Sequence, residues 1–344
     1  MKNLIIIGNG FDKAHNLKTT YNEFIEDLFN NYFDDYQKYP NIFSGRPPGI
    51  TSYGDLIRLI RKGSRPDFKN KFIGTLLEGF ANYNWCDIEY KYFSALMKCA
   101  NKDESSGYCN NPKQLNDDFE VVKNHLSDYL IIEEKKAVKI EPYEHLFNLF
   151  INASGRYPGN SLILNFNYTR IVENLYKDVI KCPIINIHGT LEDEKNPMIF
   201  GYAADYEESR ELHSQKDNEY MKNIKKYLYS RTNNKNKLNR FLGKNEKKPY
   251  HSATIDVFIL GHSCGLSDNL ILKEIFNHDS INSIKVFYYE NYENYFDVQV
   301  NMDRIMNDDI KLEKLETFSN SHRMPQWNDD EAKIQDFIKY IENN

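Results

Sequence analysis

The stretch LIIIGNGFD, residues 4–12, decides the fold. Leu4 to Ile7 is apolar without alternation, and such a run suits a strand covered on both faces. Gly8, Asn9 and Gly10 follow at once. The next segment, FDKAHNLKTTYNEFIEDLFNNYF at 11–33, returns apolar and aromatic residues at helical spacing. Phe24, Leu28 and Tyr32 fall four apart, as do Ile25, Phe29 and Phe33. Thr20 and Glu23 have the spacing of a capping box. A buried strand, a glycine turn and a helix are the opening unit of a parallel α/β sheet.

The pattern returns later in the chain. SLILNFNYT (161–169) predicts a strand over 161–166 and a helix over 170–179. IINIHGT (184–190) predicts a strand over 184–187, and VFILGHSCGLSD (257–268) one over 257–260 with a helix over 269–276. Residues 284–289 read as another strand, 197–200 as a short one, 310–315 as a helix or strand, and 330–341 as a terminal helix. This alternation predicts a doubly wound, mostly parallel sheet of Rossmann type. Right-handed crossovers put the strand tips on one edge, where ligands bind. Between the first unit and Ser161 lie a Pro- and Gly-rich loop at 40–54 and mixed helical spacing over 53–150, with a polar break at 101–118. The expected organisation is a nucleotide-binding α/β domain over 1–35 and 155–325. A helical insertion spans 36–154, a charged helical or loop insertion 204–250, and a C-terminal helix 326–344.

The 344 residues are 40% hydrophobic and 14% aromatic, enough for a substantial core. A net charge of −6 gives no general attraction to nucleic acid or anionic membrane. The basic tract 231–248 carries Arg231, Lys235, Lys237, Arg240, Lys244, Lys247 and Lys248; it is a solvated face or a phosphate or nucleic-acid contact. Five cysteines without C-x-x-C spacing suggest reduced thiols in a cytoplasm. The apolar run at the start is far shorter than a signal peptide core or a membrane span. No H-E-x-x-H and no Cys/His cluster occurs, so no metal is expected.

The predicted strand tips carry the candidate chemistry. Gly8, Asn9 and Gly10 form a tight turn or a close approach to phosphate, although the third glycine of the dinucleotide fingerprint is missing. Asp12 is placed to cap the first helix or hold a ribose hydroxyl, with His15 three positions on. Asn167 is a turn former, or an amide that can both donate and accept toward a ribose or a water. Thr169 suits an N-cap. His188 is a structural histidine or a group with acid and base capacity. Gly261-His262-Ser263-Cys264-Gly265 fits the nucleophile elbow G-x-S-x-G, with Asp297 or Asp303 and His322 in the required order. The serine comes late, however, and that reading leaves Asn167 and His188 idle. Asp268 reads as an N-cap that holds the loop over the pocket. Topology alone would let His15, His188 and His262 converge.

These segments resemble the AbiH family of bacterial abortive-infection proteins. The likeness rests on IIIGNGFDKAHNLKTTYNEF at 5–24, NWCDIE at 84–89, LNFNYT at 164–169, NIHGT at 186–190, IFGY at 199–202 and GHSCGLSD at 261–268. More remotely, the order is similar to the sirtuin-like fold of NAD-consuming proteins. That resemblance implies NAD as substrate. The glycine turn corresponds to Gly8 and Gly10, and the residues working on the nicotinamide–ribose bond to Asn167 and His188. Gly261, Ser263 and Asp268 would line or support the nucleotide pocket. The turn reads GNGFD where G-A-G is usual, Thr169 stands where Asp is common, and the four zinc cysteines of the protein deacylases are absent. The AbiH likeness adds Trp85 and one of Asp87 and Glu89 as further pocket residues. The implied function is phage defence by NAD hydrolysis, restrained in healthy cells by a homo-oligomer or released by a phage-derived trigger. Two alternatives stand beside it. One is a metal-dependent nuclease or phosphoryl-transfer enzyme using Asp12, Asp87, Glu89 and the basic tract. The other is a non-enzymatic nucleotide-binding phage sensor.

Overall fold

The computed structural model describes residues 2–45, 47–83, 87–152, 160–244, 254–306 and 313–343. Strands β1 (Lys2–Ile7), β2 (Ser161–Asn165), β3 (Ile184–Asn186), β4 (Ile255–Leu260) and β5 (Ile281–Phe287) form an all-parallel sheet in the order β3-β2-β1-β4-β5. β1 is central, and Leu4, Ile5, Ile6 and Ile7 are fully buried, as an apolar run without alternation requires. The register brings the strand ends level. Ile7 pairs with both Asn165 and Leu260, Asn165 pairs with Asn186, and Leu260 pairs with Phe287. The sheet grows from β1 through β2 to β3, then continues on the other side of β1 with β4 and β5. Such a reversal leaves a crevice at the carboxyl ends.

Two compact units contain the described residues. The sheet unit comprises Met1–Leu17, Glu133–Ile199 and Tyr229–Asn344; the helical unit comprises Lys18–Ile132 and Phe200–Leu228. The segment 11–33, read at helical spacing, divides between two helices, α1 (Asn9–Ala14) and α2 (Tyr21–Asp34), with Asn16 between them at a left-handed φ of 70°. The capping box forms: Glu23 N–H donates to Thr20 Oγ1, and Thr20 N–H donates to Glu23 Oε2. The helical unit continues with α3 (Tyr53–Arg61), α4 (Lys71–Tyr83), α5 (Ile88–Ala100) and α6 (Pro112–Glu134). The polar break therefore ends at Pro112, which supplies a favourable first helical residue. Within this unit Lys225, fully buried, donates to Glu89 Oε2 at 3.1 Å.

In the sheet unit, α7 (Pro142–Asn152) and α8 (Ile171–Tyr176) join α1 around an aromatic core. Phe11 meets Tyr143 edge-on at 4.9 Å, and His15 stacks on Tyr143 at 5.0 Å. Residues 197–200 are not a strand; Pro197 makes an isolated bridge to Thr190. The charged segment holds short helices: α9 (Arg210–His213) and α10 (Lys225–Leu228) belong to the helical unit, and α11 (Asn234–Phe241) to the sheet unit. α12 (Asn269–Phe276), α13 (Tyr292–Ile305) and the terminal helix Glu331–Glu342 complete the described helices of this unit. Of the element expected at 310–315, only 313–315 are described, and Leu315 bridges Ile284 in parallel. Among the described residues no helix is long and apolar enough to cross a membrane.

Gly261 has φ +65°, and a Cβ there would lie 2.5 Å from Phe11 N. Gly243 has φ +81° with open space around it. Gly261→Ala should therefore destabilise by clearly more than Gly243→Ala, whose cost is the backbone term alone, about 1–3 kcal/mol. Thermal unfolding of the two variants measures the difference.

Candidate functional site

The glycine turns after β1 and β4 clasp each other. A Cβ on Gly8 would sit 2.6 Å from His262 Cα, and one on Gly10 would sit 2.8 Å from Gly261 Cα. Gly10 N–H donates to Gly261 O at 2.7 Å, and Gly8 N–H to Leu260 O at 3.1 Å. These two N–H groups thus serve the chain itself. Asn9 between them is exposed.

Asp12 lies inside α1, four residues after Gly8 and two after Gly10, so it does not cap the helix; Gly8 is the N-cap. Its buried carboxylate is tied to the β2 tip. Asn167 Nδ2 donates to Asp12 Oδ1 at 2.7 Å and to Gly8 O at 3.1 Å, and Thr169 Oγ1 donates to Asp12 Oδ2 at 2.6 Å. Thr169 therefore gives its hydroxyl to Asp12 and does not cap α8, whose N-cap is Arg170. Asn167 commits its amide group to Gly8 O and Asp12, which leaves Oδ1 as its acceptor. Burial pushes the Asp12 carboxyl up to about 7, against the bonds from Thr169 and Asn167 and helped by nearby Glu134.

His188 stands just past β3. Its Nδ1 donates to Phe166 O at 3.1 Å, while Nε2 lies 3.0 Å from Tyr229 Oη and 3.2 Å from Asp268 Oδ1. The other Asp268 oxygen lies 3.3 Å from His262 Nε2. His262 Nδ1 accepts the Cys264 N–H at 2.9 Å, so its Nε2 carries the proton and donates to Asp268. That tautomer leaves His262 no lone pair at Nε2 for a metal. Among the described residues no group of three or more His, Cys, Asp or Glu is placed to hold one. Asp268 occupies the N-cap position of α12 yet makes no side-chain cap bond. Its carboxylate is turned to the two imidazoles, which forgoes about 1 kcal/mol of capping. The Phe166 ring packs edge-on against both His188 and His262.

The tips thus bring together Gly8, Asn167, His188, Gly261, His262 and Asp268. They do not bring in His15, which is fully buried. Its Nδ1 donates to Phe11 O, its Nε2 lies 2.6 Å from Tyr176 Oη, and burial lowers it to about 4. Ser263 is exposed and bonds to no histidine among the described residues; the His322 that the esterase reading needs pairs with Tyr340 Oη at 2.7 Å. Cys264, not Ser263, takes the left-handed φ, 54°. Asp87 caps α5 by accepting Tyr90 N–H, and Glu89 is held by Lys225 and Gly201 N–H inside the helical unit. Trp85, Lys247 and Lys248 lie outside the described residues. Lys235 and Lys244 both pair with Glu274. Tyr229 and Phe166 escaped the sequence reading. Tyr229 sits in a charged tract without periodicity, and Phe166 reads as one more core aromatic.

Asp12 gives a pH signature. With its carboxyl raised from 3.8 to about 7, the folded state holds the proton that the unfolded chain releases. Its stabilising contribution is complete below pH 3.8 and is lost as pH rises to about 7. Urea midpoints across that window should fall with pH in the wild type relative to Asp12→Asn, and run parallel to it above the window.

A comparison with curated protein sequences finds no match. The family model described as "Bacteriophage abortive infection AbiH" matches residues 4–292, a span that takes in β1 from Leu4 onward, the helical unit, strands β2 to β5 and all the tip residues named above. The chain belongs to the AbiH family of abortive-infection proteins, which act in bacterial defence against phage.

Proposed function

We propose that the protein defends the cell by hydrolysing NAD to nicotinamide and ADP-ribose, in a doubly wound, sirtuin-like sheet unit of Rossmann type. The observation that carries this reading is the level row of strand ends, with Asn167 and His188 at adjacent tips beside the reversal of strand order. Nucleotides bind such crevices in open α/β sheets. Asn167, its donors committed to Gly8 O and Asp12, offers an acceptor oxygen suited to a ribose hydroxyl or an attacking water. His188 would meet the same ribose from the next tip.

The chemistry balances without a co-reactant. The bond from ribose C1′ to the pyridinium nitrogen breaks, and its electron pair leaves with neutral nicotinamide. Water adds to the oxocarbenium-like C1′, and its proton passes to solvent. Loss of NAD in the cytoplasm would halt the infected cell. His188 is 4% exposed and Asn167 9%, a closed arrangement that suits an activity held in check until a homo-oligomer rearranges or a phage-derived trigger binds. The carboxylates of a metal-dependent alternative are otherwise engaged: Asp12 with Asn167 and Thr169, Asp87 in a cap, and Glu89 with Lys225.

The test is chromatography of nicotinamide and ADP-ribose, from purified protein with NAD and from infected cells. Wild type should release both, and His188→Ala and Asn167→Ala should each lose at least about 100-fold. Intact NAD in infected cells that are nevertheless protected, with either variant protecting as well as wild type, would overturn the reading.

A further inference from the structure

We infer that Asp268 and His262 are positioning residues that keep a proton on His188 Nε2, so that His188 meets its ligand as a hydrogen-bond donor and not as a base. The identity of that ligand, the nicotinamide ribose, rests on the proposed function; the protonation does not.

The argument is donor and acceptor arithmetic around one ring. The Phe166 carbonyl can only accept, so Nδ1 carries a hydrogen. On the other side, Nε2 lies 3.2 Å from a carboxylate oxygen of Asp268. A bare Nε2 would set its lone pair against that oxygen, whereas a protonated one makes a charge-assisted bond. The proton could instead sit on Asp268, but the second histidine opposes this. His262 donates to the other carboxylate oxygen, at 3.3 Å, and a donor to the ionised form favours that form. His262 cannot reverse its tautomer without losing the Cys264 N–H, which the left-handed backbone at Cys264 delivers to Nδ1. Asp268 also stands at the positive end of α12, which again favours its charge.

Among the described residues, the titratable groups seen in contact with His188 are Asp268, Tyr229 and Tyr168, with His262 acting through Asp268. A Tyr229 hydroxyl donating to a bare Nε2 would still leave that nitrogen 3.2 Å from the Asp268 oxygen. The Tyr229 hydroxyl, 3.0 Å from Nε2, marks where an oxygen can accept from that ring edge. A ligand oxygen taking its place would receive the proton's hydrogen bond. A ribose hydroxyl oxygen is such an acceptor.

The experiment uses the full chain labelled with nitrogen-15 at histidine, and long-range proton–nitrogen spectra at neutral pH. His188→Gln and His262→Gln identify the two signals. We expect both His188 nitrogens protonated and His262 protonated at Nε2 alone. In Asp268→Asn, His188 should fall to a single proton on Nδ1. A bare His188 Nε2 in the wild type overturns the inference without reference to any variant's folding. So does a His188 signal unmoved by Asp268→Asn. In parallel, the alkaline limb of nicotinamide release should move to lower pH in Asp268→Asn; an unmoved limb removes the donor role. Absence of release from wild type alongside the expected spectra would count against NAD hydrolysis alone.

Discussion

Two glycine turns that pack without a gap set the geometry on which the rest of the sheet edge depends. Gly8 leaves room for His262, and Gly10 and Gly261 meet backbone to backbone. Any Cβ at these positions would push the β1 and β4 tips apart. The tips in turn carry everything else. Gly8 O anchors Asn167, His262 reaches Asp268, and Asp268 reaches His188. The glycines are small because the chain packs against itself there.

Two buried networks hang from this clasp. One joins Asp12, Asn167 and Thr169; the other joins His188, Asp268 and His262. Each burial is costly unless the polar groups find partners. The first meets that cost with two donors on one carboxylate, yet its carboxyl still sits near neutrality. The second meets it by surrendering a helix cap. Such concessions are common where the arrangement of a few side chains matters more than stability.

Much of the fold was legible because its signals are local. The unbroken apolar runs marked β1, β2 and β4. Thr20 and Glu23 marked the start of α2, and the run from Asn269 to Phe276 marked α12. The tip positions of Asn167 and His188 were legible because a polar residue at the end of a buried strand has no packing reason to be there. What escaped was the partner of each. Asp12 and Asp268 both looked like caps, since capping is what an aspartate before or within a first turn usually does. Only tertiary contact turned one to Asn167 and the other to two histidines. Tyr229 lacked any pattern, and Glu89 gave no hint of a fully buried Lys225.

The register of the sheet has a consequence for synthesis. β1 is the first strand to leave the ribosome, but its β4 neighbour comes only after both stretches of the helical unit have been made. Closing so long a loop waits on the late partner, however favourable the pairing. His262 and Asp268 follow β4 directly, so a truncated chain lacks half of the tip cluster. Any activity of this edge therefore belongs to chains translated past Asp268. An interrupted message yields a fragment without the β4 partner of β1 and without His262 and Asp268.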